Sequence, residues 1–70
     1  MLKLGDKIKL LAMPQDPDAL PAGATGTVTW QNPYRGSGEQ WTQYRVAWDA
    51  PHEKRSLMIV IPPDQVEVIG

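Results

Sequence analysis

The sequence predicts an all-β fold of five short strands, in one domain spanning residues 1–70. Three observations carry that expectation. Apolar and polar residues alternate with a period of two in several short segments, and helical spacing never persists beyond a turn. Those segments are separated by clusters that hold most of the 7 prolines and 6 glycines, the residues that punctuate strands. At the centre stands Gly23-Ala24-Thr25-Gly26-Thr27-Val28-Thr29-Trp30. It is a glycine turn running directly into the β-branched and aromatic residues that suit a pleated, half-buried surface.

The first strand is expected from Lys7 to Ala12, where Ile8 and Leu10 share one face and Lys7 and Lys9 the other. The second runs from Thr25 to Gln31, with Val28 and Trp30 inward and Thr25, Thr27 and Thr29 outward. In the third, Gln43 to Trp48, the inward set is Tyr44, Val46 and Trp48, and Gln43, Arg45 and Ala47 face out. Ser56 to Ile61 is apolar on both faces and reads as a covered strand. The last strand, Val66 to Ile69, follows Pro62-Pro63-Asp64-Gln65. Proline lacks the N–H a ladder needs, so a short 3₁₀ turn is expected there.

The connections differ in character. Met13 to Ala24 is long and carries Pro14, Pro17, Pro21 and Gly23; proline restricts the unfolded chain too, which favours an ordered loop. Asn32 to Gln40 holds Asn-Pro and Gly-Ser-Gly and reads as a flexible second loop. Asp49 to Lys54 is a shorter link through Pro51. This order of strands and loops is that of a small SH3-like barrel, which hides most strand edges in a domain too small for a large core. A five-stranded OB barrel is the runner-up, but it needs a helix between its third and fourth strands and none is predicted.

Composition bounds the rest. A chain of 70 residues buries only about 60–65% of its unfolded surface. With no cysteine, neither a disulfide nor a thiolate nucleophile is available. Seven basic and eight acidic residues give a net charge of −1, which weighs against a strongly electrostatic nucleic-acid binder. The N-terminal residues show neither a signal-peptide pattern nor an apolar run long enough to span a membrane. The expected location is the cytoplasm, and from Met1 to Gly70 the chain reads as a complete small protein.

Gly5-Asp6 with Ile8 and Leu10, Met13, Asp16-Pro17, Pro21, Gly26-Thr27-Val28-Thr29, Trp48-Asp49, Arg55-Ser56-Leu57 and Pro62-Pro63-Asp64 resemble a family of short bacterial and phage proteins whose domain has no known function. The resemblance covers most of the chain and implies the SH3-like fold; it brings no activity. The sequence departs from that family between Trp30 and Tyr44, and again after Asp49, where Ala50-Pro51-His52-Glu53-Lys54 intervenes. A weaker likeness, through Gly5-Asp6-x-Ile8 and the closing Asp64-x-Val66-x-Val68, is to small barrel subunits of photosynthetic electron-transfer complexes, which dock rather than catalyse.

Catalysis finds little support. His52 has no serine or cysteine at a motif spacing, Asp49, His52 and Glu53 match no metal-ligand pattern, and Asp16 with Asp18 is too sparse for a calcium loop. The expected function is therefore a non-catalytic binding module without cofactor or metal. Its candidate partner-binding residues are Asp16, Asp18, Tyr34, Arg35, Trp41 and Arg45. Tyr34 and Trp41, read in the second loop, either close over the core or face a ligand, and Trp, Tyr and Arg are the enriched anchors of interfaces. Asp16 and Asp18 either recognise a basic side chain or serve as ordinary turn residues. The partner is expected to be another protein or a second copy. The alternatives are weak nucleic-acid binding through Lys7, Lys9, Arg35 and Arg45, with Tyr34 or Trp41 stacking on bases, and an accessory subunit of an electron-transfer complex.

Overall fold

The computed structural model describes residues 2–36, 38 and 40–70. Met1 lies outside them, as do Ser37 and Glu39 of the expected second loop. Five antiparallel strands form one sheet: β1 (Lys7–Ala12), β2 (Thr25–Arg35), β3 (Gln40–Trp48), β4 (Ile59–Ile61) and β5 (Gln65–Val68). Their order is β4-β3-β2-β1-β5, so β4 and β5 are the two ends, and the sheet is not closed. No helix occurs among the described residues.

The core follows from the alternation. Ile8 and Leu10 of β1, Val28 of β2, Tyr44, Val46 and Trp48 of β3 and Ile59 of β4 are buried together, with Leu2, Met13, Leu20 and Ala24 packed from the loops. The Trp48 indole N–H donates to the Leu57 carbonyl at 2.8 Å, which satisfies its one polar group. Two glycines are required by geometry. Gly23 has φ +96° at the turn into β2, and a Cβ on Gly26 would sit 2.6 Å from Val46 Cγ1 and 2.8 Å from the Ala47 carbonyl oxygen. The central glycine motif thus serves a left-handed turn and then a close strand approach.

Four expectations need correction. First, Trp30 is not in the core; it is 39% exposed. The β2–β3 register runs from Val28↔Val46 to Trp30↔Arg45, so two steps on β2 meet one on β3. This bulge changes the face that the next residue presents and sets Trp30 opposite the outward Arg45. Second, the expected second loop is largely strand. Asn32, Pro33, Tyr34 and Arg35 pair with Gln43, Thr42, Trp41 and Gln40. The ladder from Trp30 to Arg35 therefore extends about 17 Å, at about 3.4 Å per residue.

Third, Ser56 to Met58 is not strand, and β4 begins at Ile59. The Leu57 carbonyl is taken by the Trp48 indole rather than by a ladder partner. Fourth, the turn before β5 is wider than 3₁₀. Pro63 has no N–H with which to close an i→i+3 bond onto Val60, so the first available donor is Asp64, whose N–H reaches the Val60 carbonyl at 2.9 Å. The Asp64 carboxylate returns the contact, with Oδ2 accepting the Val60 N–H at 2.8 Å.

Candidate functional site

Beyond Val28, β2 is flanked among the described residues by β3 alone, because β1 pairs only with Thr25, Gly26 and Thr27. The distal halves of β2 and β3 form an arm on which every residue of Thr29–Arg35 is exposed. Pro33 is tolerated there because one edge of the strand has no partner needing its N–H. Directly paired antiparallel residues share a face. One face of the arm accordingly carries Trp30 with Arg45, Asn32 with Gln43 and Tyr34 with Trp41.

Each pair on that face has a defined geometry or chemistry. The Arg45 guanidinium carbon lies 5.4 Å from the Trp30 ring centroid, within cation–π range. The Tyr34 and Trp41 rings stack with centroids 4.7 Å apart and planes 13° from parallel. Asn32 and Gln43 put two amides between the Trp30–Arg45 pair and the Tyr34–Trp41 stack. Tyr34 and Trp41 therefore neither close over the core nor stand apart as loop anchors; they stack on each other across strands. Arg35 ends β2 opposite Gln40.

The first loop lies elsewhere. Asp16 and Pro17 line an open cleft of about 420 Å³ with Met58, Val60, Pro63 and Asp64. Asp16 Oδ1 accepts the Asp18 N–H at 2.8 Å, a local turn bond. Asp18 is held by Arg55, whose Nη2 donates to the Asp18 carbonyl at 2.7 Å and to its carboxylate at 3.3 Å. Of the six expected partner-binding residues, Tyr34, Trp41, Arg45 and Arg35 fall on the arm, while Asp16 and Asp18 face the 55–64 segment.

Two further ion pairs involve the lysines of β1. Lys7 pairs with Asp49, which also accepts from the Thr25 hydroxyl at 2.6 Å. The Lys7 ammonium and then the Thr25 hydroxyl hold the Asp49 carboxyl below its ordinary pKa. Lys9 pairs with Glu67 at 3.3 Å. Asp64 differs: it is only 8% exposed, and burial pushes its pKa up, against the Val60 N–H bond and reinforced by the charge of Asp16. Among the described residues no ion pair reaches Asp64 or Asp16.

A second cleft, of about 450 Å³, shares Asp64 with the first and is lined by Leu2, Leu11, Tyr44, Ile61 and Val66. Tyr44 is 3% exposed. Sequence reading did not single out Asp64, while Tyr44, expected in the core, is there. Among the described residues no group of three or more His, Asp or Glu side chains could hold a metal ion, and no helix is long and apolar enough to cross a membrane. No protein-family model matches the chain, and comparisons with curated proteins and with solved structures give no match.

Proposed function

We propose that this chain is a small SH3-like domain, akin to the short bacterial and phage proteins it resembles, that works in the cytoplasm as a protein-docking module. The observation that carries the reading is the arm of β2 and β3. A monomer gains little core stability from a two-stranded ribbon, yet this one orders three aromatic rings, two amides and an arginine on one face. Tyrosine, tryptophan and arginine supply large contact areas and polar handles, and they dominate the energetics of interfaces. The strand order, with β1 between β2 and β5, supports the SH3-like assignment.

A protein partner fits better than nucleic acid. Net charge is −1, and Lys7 and Lys9 are each held by a carboxylate of the chain itself. Tyr34 and Trp41 already cover one another, which leaves fewer ring faces for bases.

The test is capture of partners from a nuclease-treated native lysate by the wild type and by Trp41→Ala and Trp30→Ala. The expected result is a protein partner captured at low and high salt by the wild type and lost with both variants, each still folded. Capture that vanishes with nuclease, or that both variants retain, refutes the reading.

A further inference from the structure

Part-way along β3 the neighbouring strand falls away, and an open cleft of about 480 Å³ takes its place, lined by Arg45, Val46, Arg55, Ser56 and Met58. Its origin lies in the backbone. β4 pairs with β3 only from Thr42 to Tyr44, and Ser56 to Met58 are outside the ladder. On the other side of β3, Val28 gives its N–H to the Asp6 carbonyl and accepts the Gly5 N–H on its own. Val28 and Val46 are therefore a pair that exchanges no ladder bonds, and the N–H of Val46 points away from β2, towards the cleft. Val46 is only 5% exposed, and no backbone carbonyl of the 55–58 segment accepts that N–H. A nearly buried donor in this position calls for an acceptor.

The side chains around the gap are donors as well. The Arg45 guanidinium lies over the Trp30 ring, a contact that consumes none of its N–H groups, and it has no carboxylate partner among the described residues. Arg55 spends Nη2 on the carbonyl and carboxylate of Asp18, which leaves Nη1 and Nε. The Asp18 carboxylate is 3.3 Å away and 89% exposed, so solvent screens its hold on the guanidinium. Ser56 adds an exposed hydroxyl and a backbone N–H that no described carbonyl accepts. No Asp or Glu lines the cleft. Two guanidinium groups thus share it with no acid between them, an arrangement that an anion relieves.

We propose that this cleft binds the phosphate group of a small phosphate monoester. Arg45 approaches from β3 and Arg55 from the opposite wall, and the planar forks of both match pairs of phosphate oxygens. The N–H groups of Val46 and Ser56 and the Ser56 hydroxyl serve the remaining lone pairs, and Met58 offers an apolar wall to the organic part. A carboxylate fits less well: one guanidinium fork occupies both its oxygens, whereas a phosphate monoester presents three and engages both forks together. The inference goes beyond the docking arm. Arg55, Ser56 and Met58 lie off β2 and β3, so either surface can fail alone.

The experiment is a titration of the full chain with phenyl phosphate, followed by amide and arginine Nε–H NMR shifts. Benzoate, which keeps the ring and carries a carboxylate, and sodium chloride at matched ionic strength are the controls. The expected result is saturable shifts at Val46, Ser56 and both arginines, with benzoate binding about tenfold more weakly, as for the loss of a charged hydrogen bond. Arg45→Gln and Arg55→Gln should each weaken binding about tenfold. Ser56→Asp, at an exposed position, sets a carboxylate in the cleft without touching the Asp18 contact and should abolish binding; it decides the case if Arg55→Gln disturbs the first loop. Equal binding of benzoate and phenyl phosphate overturns the proposal, as does full binding by the folded Ser56→Asp variant. Shifts that sodium chloride reproduces overturn it too, and shifts confined to Tyr34, Arg35 and Trp41 assign the anion to the arm instead.

Discussion

Replacing Trp48 and Trp30 by alanine, one at a time, separates the core from the arm. Trp48 is 3% exposed and its indole N–H holds the Leu57 carbonyl at 2.8 Å. Truncating a buried tryptophan costs about 3–5 kcal/mol through lost transfer energy and the cavity left behind. A domain of 70 residues has about 3.5–10 kcal/mol in total, at 0.05–0.15 kcal/mol per residue. Trp48→Ala should therefore leave the protein largely unfolded or barely folded at 25 °C. Trp30, at 39% exposed, loses its contact with Arg45, worth about 0.5–1 kcal/mol at an exposed site, and part of its remaining packing. Trp30→Ala should lower Tm by about 4–8 °C, as for a loss near 1 kcal/mol in a domain of this size. Thermal denaturation followed by far-UV circular dichroism measures both. Comparable losses from the two variants would place Trp30 in the core and refute the bulge between Val28 and Trp30.

Further outcomes follow from other contacts. Gly26→Ala should destabilise the fold by about 1–3 kcal/mol, because the added methyl meets the Ala47 carbonyl as well as Val46 Cγ1; adding Val46→Ala should recover little, since the backbone contact remains, and a thermal melt distinguishes the cases. A double-mutant cycle on Tyr34 and Trp41 should give a coupling of about 0.5–1.5 kcal/mol, and a value near zero would show that the stack contributes nothing to the arm. For Asp64 the folded-state pKa is raised, so its charged form costs stability above that pKa, and the cost disappears as pH falls through it. Asp64→Asn should thus be more stable than wild type near neutral pH, with the gap closing in acid; a gap independent of pH would remove the burial argument. For Asp49 the pKa is lowered, so its contribution is present at neutral pH and is lost as pH falls through the folded-state value. Asp49→Asn should be the less stable protein at neutral pH and should converge with wild type in strong acid.

How legible each element was depends on whether burial imposed a pattern on it. β1 lies where the alternation of Ile8 and Leu10 with Lys7 and Lys9 puts it, because one face is core and the other solvent. The arm carries no such imprint. Trp30, Asn32 and Tyr34 alternate with Gln31, Pro33 and Arg35, and neither set is apolar because neither face is buried. A solvated ladder has no hydrophobic period to read, and Asn-Pro with Gly-Ser-Gly then resembles a loop. The bulge was equally hidden, since it is a one-residue mismatch between two strands and belongs to neither sequence alone. The partnership of Asp64 with Val60 was within reach: two successive prolines cannot donate, so the first residue after them had to close the turn.

That partnership also bears on what the sheet allows to happen at its edge. β4 is only three residues long, and Ile59, Val60 and Ile61 pair with Tyr44, Gln43 and Thr42 of β3. Backbone groups point alternately to the two sides of a strand, and those of Val60 point away from β3. The N–H of Val60 is bound by the Asp64 carboxylate and its C=O by the Asp64 N–H. One aspartate thus imitates a neighbouring strand for the single residue of β4 that could recruit one. An incoming chain, whether a misfolded copy or an unrelated β-segment, would have to displace both bonds before adding to this edge. Addition to β4 is thereby opposed by the two hydrogen bonds of Asp64.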